Sequence, residues 1–170
     1  MITLRCTAKA ADALGLQAAA DAAPGSSPLG DWYINLVPTS AGGVFVFMNE
    51  QSLLLVVVPR GEPRILDSFV ARVGNLLSMI GLPNEIIEAE VEHFMEARVG
   101  KTSSKRLLGV MNDLTQRCVA EIDRASRKSP VSLSDLELRM ANLPQATLAF
   151  HTPRAVALEL LRSQARFGAF

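Results

Sequence analysis

The run Leu53-Leu54-Leu55-Val56-Val57-Val58, closed by Pro59, limits what this chain can fold into more than any other segment. It is far below the ~20 apolar residues that a helix needs to span a bilayer. Successive strand residues point to opposite faces, so a strand that is apolar at every position must be covered on both. The simplest arrangement is a central strand with helices packed over it. Asn49-Glu50-Gln51-Ser52 bounds the run on one side, and Pro59 and Pro63 on the other. Trp32 to Val37 and Val44 to Met48 precede it across short turns, which favours an antiparallel meander.

Ile2 to Thr7 alternates apolar and polar residues, predicting a half-buried strand, with Thr7 capping a short helix to about Leu16. The Pro24-Gly25-Ser26-Ser27-Pro28 cluster ends regular structure. From Ile65 the period becomes helical. Ile65, Phe69, Val73, Leu76 and Ile80 share one face, while Ile87, Val91, Phe94 and Met95 form the stripe of a second helix that Asn84 is placed to cap. These two helices are expected to pack as a hairpin. Thr102-Ser103-Ser104 offers caps for a third helix burying Leu107, Met111, Leu114, Cys118 and Ile122, which should fray over residues 126–130. Ser132 starts a shorter helix, Thr147 to Phe150 reads as a last strand, and Pro153 opens a C-terminal helix. The expected fold class is α+β, a small, mainly antiparallel sheet packed against a layer of helices formed chiefly by residues 65–127. The 170 residues suit a single globular domain, 1–170, with a flexible loop at about 20–30, and can bury a core without metal or disulfide staples.

Net charge is zero, which argues against a strongly electrostatic partner for the chain as a whole. The distribution is uneven. Glu85, Glu88, Glu90, Glu92 and Glu96 crowd residues 85–96, whereas residues 98–128 carry eight Lys or Arg against Asp113, Glu121 and Asp123. The first residues lack the basic region and apolar core of a secretory signal, so a cytoplasmic chain is expected, with Cys6 and Cys118 as reduced packing residues. With His93 and His151 they show no metal-ligand spacing, so neither a metal nor a cofactor is expected.

Gly100-Lys101-Thr102 matches the tail of a phosphate-binding loop, but Met95 stands where the first glycine belongs and the segment follows an acidic helix. It is read as a connection between helices. Lys101 to Arg106 leads into a helix N-terminus, gathering cations, hydroxyls and free amides as an anion site would. Asn112-Asp113 lies further along that helix, where Asp113 either joins an ion-pair row with Arg106 and Arg117 or, with Asn112, faces a cleft. Asn49 suits a turn. Glu50 beside it ends a buried strand, where a carboxylate can act as a base or metal ligand with Asp113. Trp32 and Tyr33 are adjacent and so on opposite strand faces, one a core anchor and the other able to stack on a base or ring, but at 5% aromatic residues the sequence shows no interleaved basic-aromatic surface of the kind single-strand binders use. His93 and His151 have no local nucleophile pattern beside them.

Leu29-Gly30-Asp31-Trp32-Tyr33-x-Asn35-Leu36, Asn49-Glu50-x-x-Leu53 and Lys101-Thr102 with Arg106-x-Leu108-Gly109-x-Met111-Asn112-Asp113-Leu114 together resemble an uncharacterised bacterial family, a domain of unknown function in small cytosolic proteins. The family usually has an Asn near Thr152-Pro153, where this chain has His151. The resemblance implies no reaction. It marks Trp32, Asn35, Asn49, Glu50, Lys101, Thr102, Arg106, Asn112 and Asp113, the residues already singled out, as candidate ligand contacts. The leading expectation is a non-enzymatic binding or regulatory module that recognises an anionic ligand, nucleic acid or a protein partner, one setting being a mobile-element or defence system. The alternatives are a divalent-cation-dependent hydrolase or nuclease using Glu50 and Asp113, and a structural or oligomerisation protein using its glutamate-rich helix.

Overall fold

The computed structural model describes residues 1–125 and 129–167, with side chains to residue 163. Among these, β1 (Ile2–Cys6), β2 (Trp32–Thr39), β3 (Gly42–Asn49), β4 (Leu55–Pro59) and β5 (Ala97–Lys101) form one mixed sheet in the order β4-β3-β2-β1-β5. The β2-β3-β4 meander is antiparallel, while β1 is parallel to both β2 and β5. The α-helices are α1 (Ala8–Leu14), α2 (Ile65–Met79), α3 (Asn84–Glu92), α4 (Lys105–Ala125), α5 (Leu133–Ala141) and α6 (Pro153–Phe167). The fold class is α+β. The fraying expected over 126–130 lies partly outside the described residues.

Strand alternation sorts the interior into two cores, one on each face of the sheet. Trp32, Ile34, Phe45, Phe47, Val56 and Val58 face α1, α2 and α6, whereas Tyr33, Val44, Val46, Met48, Leu55 and Val57 face α4 and α5. The helices therefore lie on both faces, because the meander strands are apolar on both sides. Phe69 of α2 centres the first core, stacked on Phe47 at 4.0 Å between ring centroids and edge-on to Trp32 at 5.2 Å. Each such fully buried side chain contributes about 1.5–3 kcal/mol. Trp32 and Tyr33 are both buried, one in each core. Cys6 and Cys118 are free and buried, also in separate cores, and burial pushes their thiols up to about 11 and about 12. Such thiols are inert packing groups at neutral pH.

The all-apolar run is covered on both faces as expected, yet β4 is an edge strand that pairs with β3 alone. An open edge would leave its backbone groups exposed. Helix α5 lies there instead: Val57 N donates to Glu137 Oε1 at 2.8 Å, and the same oxygen accepts Arg72 Nε from α2 at 2.9 Å. Leu136 and Met140 enter one core and Ala141 the other, so α5 joins the two around the edge. A buried carboxylate thus takes the place of the carbonyl a further strand would supply.

Three other expectations are corrected. The segment before Lys101 is a strand, β5, whose register places Gly100 beside Arg5 and Lys101 beside Cys6. Helix α3 starts one residue early with Pro83 at the cap position, ends at Glu92, and tightens into a 3-10 turn over His93–Glu96. The change of pitch buries Phe94 and turns Met95 out to 85 % exposure. Residues 147–150 are not a strand. Ala146–Leu148 is a 3-10 turn, followed by Ala149 and Phe150 at φ of 50° and 64°.

The segment between α1 and β2 is hydrogen-bonded to the sheet. Ala19 N donates to Val99 O at 3.1 Å, Lys101 N to Ala19 O at 2.9 Å, and Thr3 Oγ1 to Ala23 O at 2.7 Å. Gly100 permits this approach, since a methyl group there would lie 2.6 Å from the Ala22 Cβ. Asp31 closes the segment. It is 1 % exposed and pairs with Arg5 Nη2 at 3.0 Å while accepting from the amides of Thr3 and Gly25.

Candidate functional site

The polar positions marked by the sequence fall into three places. The first is the N-terminal end of β2, where Trp32 is in register with Asn49. Asn49 is fully buried; its amide donates to Leu29 O and Asp31 O, and its Oδ1 accepts from Gln51 N, Ser52 N and Ser52 Oγ. Both donors and the acceptor are spent on the chain itself. Glu50 Oε1 accepts from Asp31 N at 3.0 Å and lies against Gly30, whose φ of 76° is a conformation that a side chain would strain. The positive φ of the following turn falls on Leu53, at 60°, and not on Asn49. Trp32 has no exposed surface. Two of the quoted blocks, 29–36 and 49–53, are thus halves of one interlocked bend.

The second place is the carboxyl end of β1 and β5. Cys6 is in register with both Ile34 and Lys101, so Asn35 and Thr102 follow at the same end of the sheet. Asn35 Oδ1 accepts from Thr7 Oγ1 at 3.1 Å, and Thr7 caps α1 through Ala10 N. Beside them the chain turns into α4, with Ser103 Oγ 3.3 Å from the Tyr33 hydroxyl. Ser104 Oγ accepts Leu107 N at 3.2 Å, occupying one of the amides that the anion-site reading left open. This is strand, loop and helix, but no glycine nest precedes Lys101, and Met95 is an exposed side chain in the 3-10 turn. Ser104→Ala is expected to lower stability by about 1 kcal/mol, readable as a lowered thermal midpoint.

The third place is the outer face of α4. Lys105, Arg106, Asn112, Asp113 and Arg117 are all exposed. Asp113 and Arg117 are four residues apart, yet among the described residues neither has an ion-pair partner, so the ion-pair row is not formed. Both line a cleft of about 340 Å³ whose other wall is the segment from Pro144 to Phe150. That wall is closed on itself by Gln145 N to His151 O at 3.1 Å and Phe150 N to Gln145 O at 2.9 Å. Two successive non-glycine residues at positive φ are strained, at about 1–3 kcal/mol each. Their effect is to hold Phe150 outward, 75 % exposed, at the rim of the cleft.

A family model described as a domain of unknown function (DUF6933) matches residues 3–156. The chain belongs to that family. No curated protein and no solved structure matches it. The match covers all three places in this DUF6933 chain, from Thr3 beside Asp31 to the 144–150 wall.

Asn35, Lys101 and Thr102 are brought to one end of the sheet, and Arg106, Asn112 and Asp113 continue from it along α4. Glu50 belongs to the Gly30–Asp31 bend, whereas Asp113 belongs to the α4 cleft. Among the described residues, no three His, Cys, Asp or Glu side chains group as metal ligands. Phe150 and Arg117 are cleft residues that sequence reasoning did not select. The available hint was the spacing of Pro144 and Pro153, two breakers that bound a short segment.

Proposed function

We propose that this DUF6933 domain is a non-enzymatic binding module that takes single-stranded nucleic acid along the outer face of α4. The observation that carries the reading is Phe150, held outward by strained backbone beside Arg117 and Asp113, which have no ion-pair partner among the described residues. An exposed ring beside a cation is what an unpaired base and its phosphate require: the ring stacks and the guanidinium takes the phosphate. Lys105 and Arg106 extend the positive face toward Lys101, giving phosphate contacts without base reading. Asp113 can accept from a base amine in the cleft. The cation-dependent hydrolase has less support, because Glu50 is engaged by the Asp31 amide.

Fluorescence anisotropy with a labelled single-stranded oligonucleotide tests this. Binding at low salt should weaken steadily as salt rises. Phe150→Ala should cost about 1–3 kcal/mol of binding, and Arg117→Ala should reduce the salt dependence by about one phosphate contact. The Lys101, Lys105 and Arg106 triple alanine variant should lose most of the remaining affinity. No binding at low salt, or equal binding by the Phe150 and Arg117 variants, removes the reading.

A further inference from the structure

The α4 cleft holds more than a ring and a cation. Val110, Asp113, Leu114 and Arg117 recur on one face of α4 at the spacing of helical neighbours, so a single helix supplies both apolar and charged lining. The volume of about 340 Å³ is at the small end of the roughly 300–1,000 Å³ of ligand pockets, which suits one base and not a folded strand. Asp113 accepts no hydrogen bond and has no ion-pair partner among the described residues. Gly109 stands one helical turn before it, inside α4 and exposed. A glycine there weakens a helix relative to alanine. Packing gives no reason for it, since a Cβ added at Gly109 would meet nothing within 4 Å. The helix surface next to Asp113 is therefore open to a ligand.

The chemistry of the carboxylate selects the base. A carboxylate accepts through two oxygens and donates nothing, so it fits an edge with two donors side by side. Guanine presents such an edge, N1–H next to the N2 amine. Adenine and cytosine each set an acceptor nitrogen beside their amine, and thymine and uracil flank N3–H with carbonyl oxygens, so all of these turn a lone pair toward the carboxylate. Unstacked bases in single strands are read on this Watson–Crick edge. Of the other polar side chains in the cleft, Arg117 is given to phosphate, Gln145 Nε2 donates to Leu143 O at 3.1 Å, and the Thr147 hydroxyl either donates or accepts. Asp113 is left to set the preference.

We infer that the cleft reads guanine, whose N1–H and N2 amine donate to the two carboxylate oxygens of Asp113 while the ring stacks on Phe150. The inference rests on the nucleic-acid reading of this site and adds a base preference that stacking and phosphate contacts do not supply.

Fluorescence anisotropy of the full chain at low salt tests it, with short labelled oligothymidine strands carrying one central guanine, hypoxanthine, adenine or cytosine, or none. The guanine strand should bind at least about tenfold more tightly than the others, as a bidentate contact to a base edge provides. Hypoxanthine lacks only the N2 amine of guanine, so it separates edge reading from stacking. Asp113→Asn replaces one acceptor with a donor. Gly109→Gln places an amide four residues before Asp113, where Gln and Asp hydrogen-bond on a helix, and so occupies the carboxylate. Each variant should bring the guanine strand close to the adenine strand while oligothymidine still binds. Both positions are exposed, and circular dichroism checks that the variants are folded. If oligothymidine binds and guanine adds nothing, if hypoxanthine adds as much, or if either folded variant keeps the full preference, the inference is overturned and the nucleic-acid reading stands. If no strand binds, both fall.

Discussion

Asp31→Ala is expected to cost about 3–5 kcal/mol of folding stability, the scale of a broken buried ion pair. Asp31 Oδ2 receives Arg5 Nε and Nη2, each at 3.0 Å, and Oδ1 receives Thr3 N at 3.1 Å and Gly25 N at 2.8 Å. Alanine leaves the buried Arg5 without its counter-charge and the amides of Thr3 and Gly25 without an acceptor. The cost is set by these orphaned groups more than by the attraction lost. Denaturant unfolding should show a lowered midpoint, and amide exchange at Gly25 and Thr3 should quicken more than at β3. An Arg5→Met, Asp31→Leu double variant should recover much of the loss, because a pair removed whole leaves no charge stranded. A loss below about 1 kcal/mol, the scale of an exposed pair, would show that water reaches the site.

The second large effect is on the pH dependence of stability. Burial raises Glu90 from 4.5 to about 7, against the opposing Ser27 hydrogen bond and the Met1 amine. Burial likewise raises Glu137 to about 6, against the opposing Val57 amide and Arg72. A carboxyl whose folded pKa exceeds its unfolded pKa holds its proton more tightly in the folded chain. Its stabilising contribution is therefore complete below about 4.5 and is lost as pH rises through the folded value. For Glu90 the loss between pH 4.5 and about 7 is on the order of 3 kcal/mol. Glu90→Gln mimics the protonated form, so its stability advantage over the parent should be near zero at pH 4.5 and grow toward pH 7. Unfolding free energies of both chains across this range check the sign, and an advantage that shrinks with rising pH would refute it.

Much of the fold was legible because its signals are local. Thr7 accepts Ala10 N and starts α1, Ser132 does the same for α5 through Asp135 N, and the stripe Phe69, Val73, Leu76 places α2 on the sheet. β5 was not legible, since of Ala97–Lys101 only Gly100 is buried and Arg98 and Lys101 are exposed. What makes it a strand is pairing with β1 on one side and Ala19 on the other, residues some 80 to 100 positions away.

The candidate site divides in the same way. Arg106 and Asp113 were legible as a basic helix start followed by a carboxylate, whereas Lys101 ends β5. The 29–36 and 49–53 blocks read as ligand contacts because one of Trp32 and Tyr33 could stack on a ring and Glu50 ends a buried strand where a carboxylate can act as a base. The two blocks proved to be each other's partners, as in Asn49 to Leu29 O and Glu50 to Asp31 N. Phe150 reads as a strand residue in the sequence, since no local pattern announces two left-handed residues in succession.

The sequence alone determined that Leu53 to Val58 would be buried on both faces, because six apolar side chains carry that requirement whatever surrounds them. Only the tertiary structure decided how. The run lies at the sheet edge, and its coverage comes from α5, whose Glu137 meets Val57 N across 80 residues. Hydrophobic burial is demanded by each side chain separately. The place of a charge depends on which distant groups the fold brings within hydrogen-bonding distance.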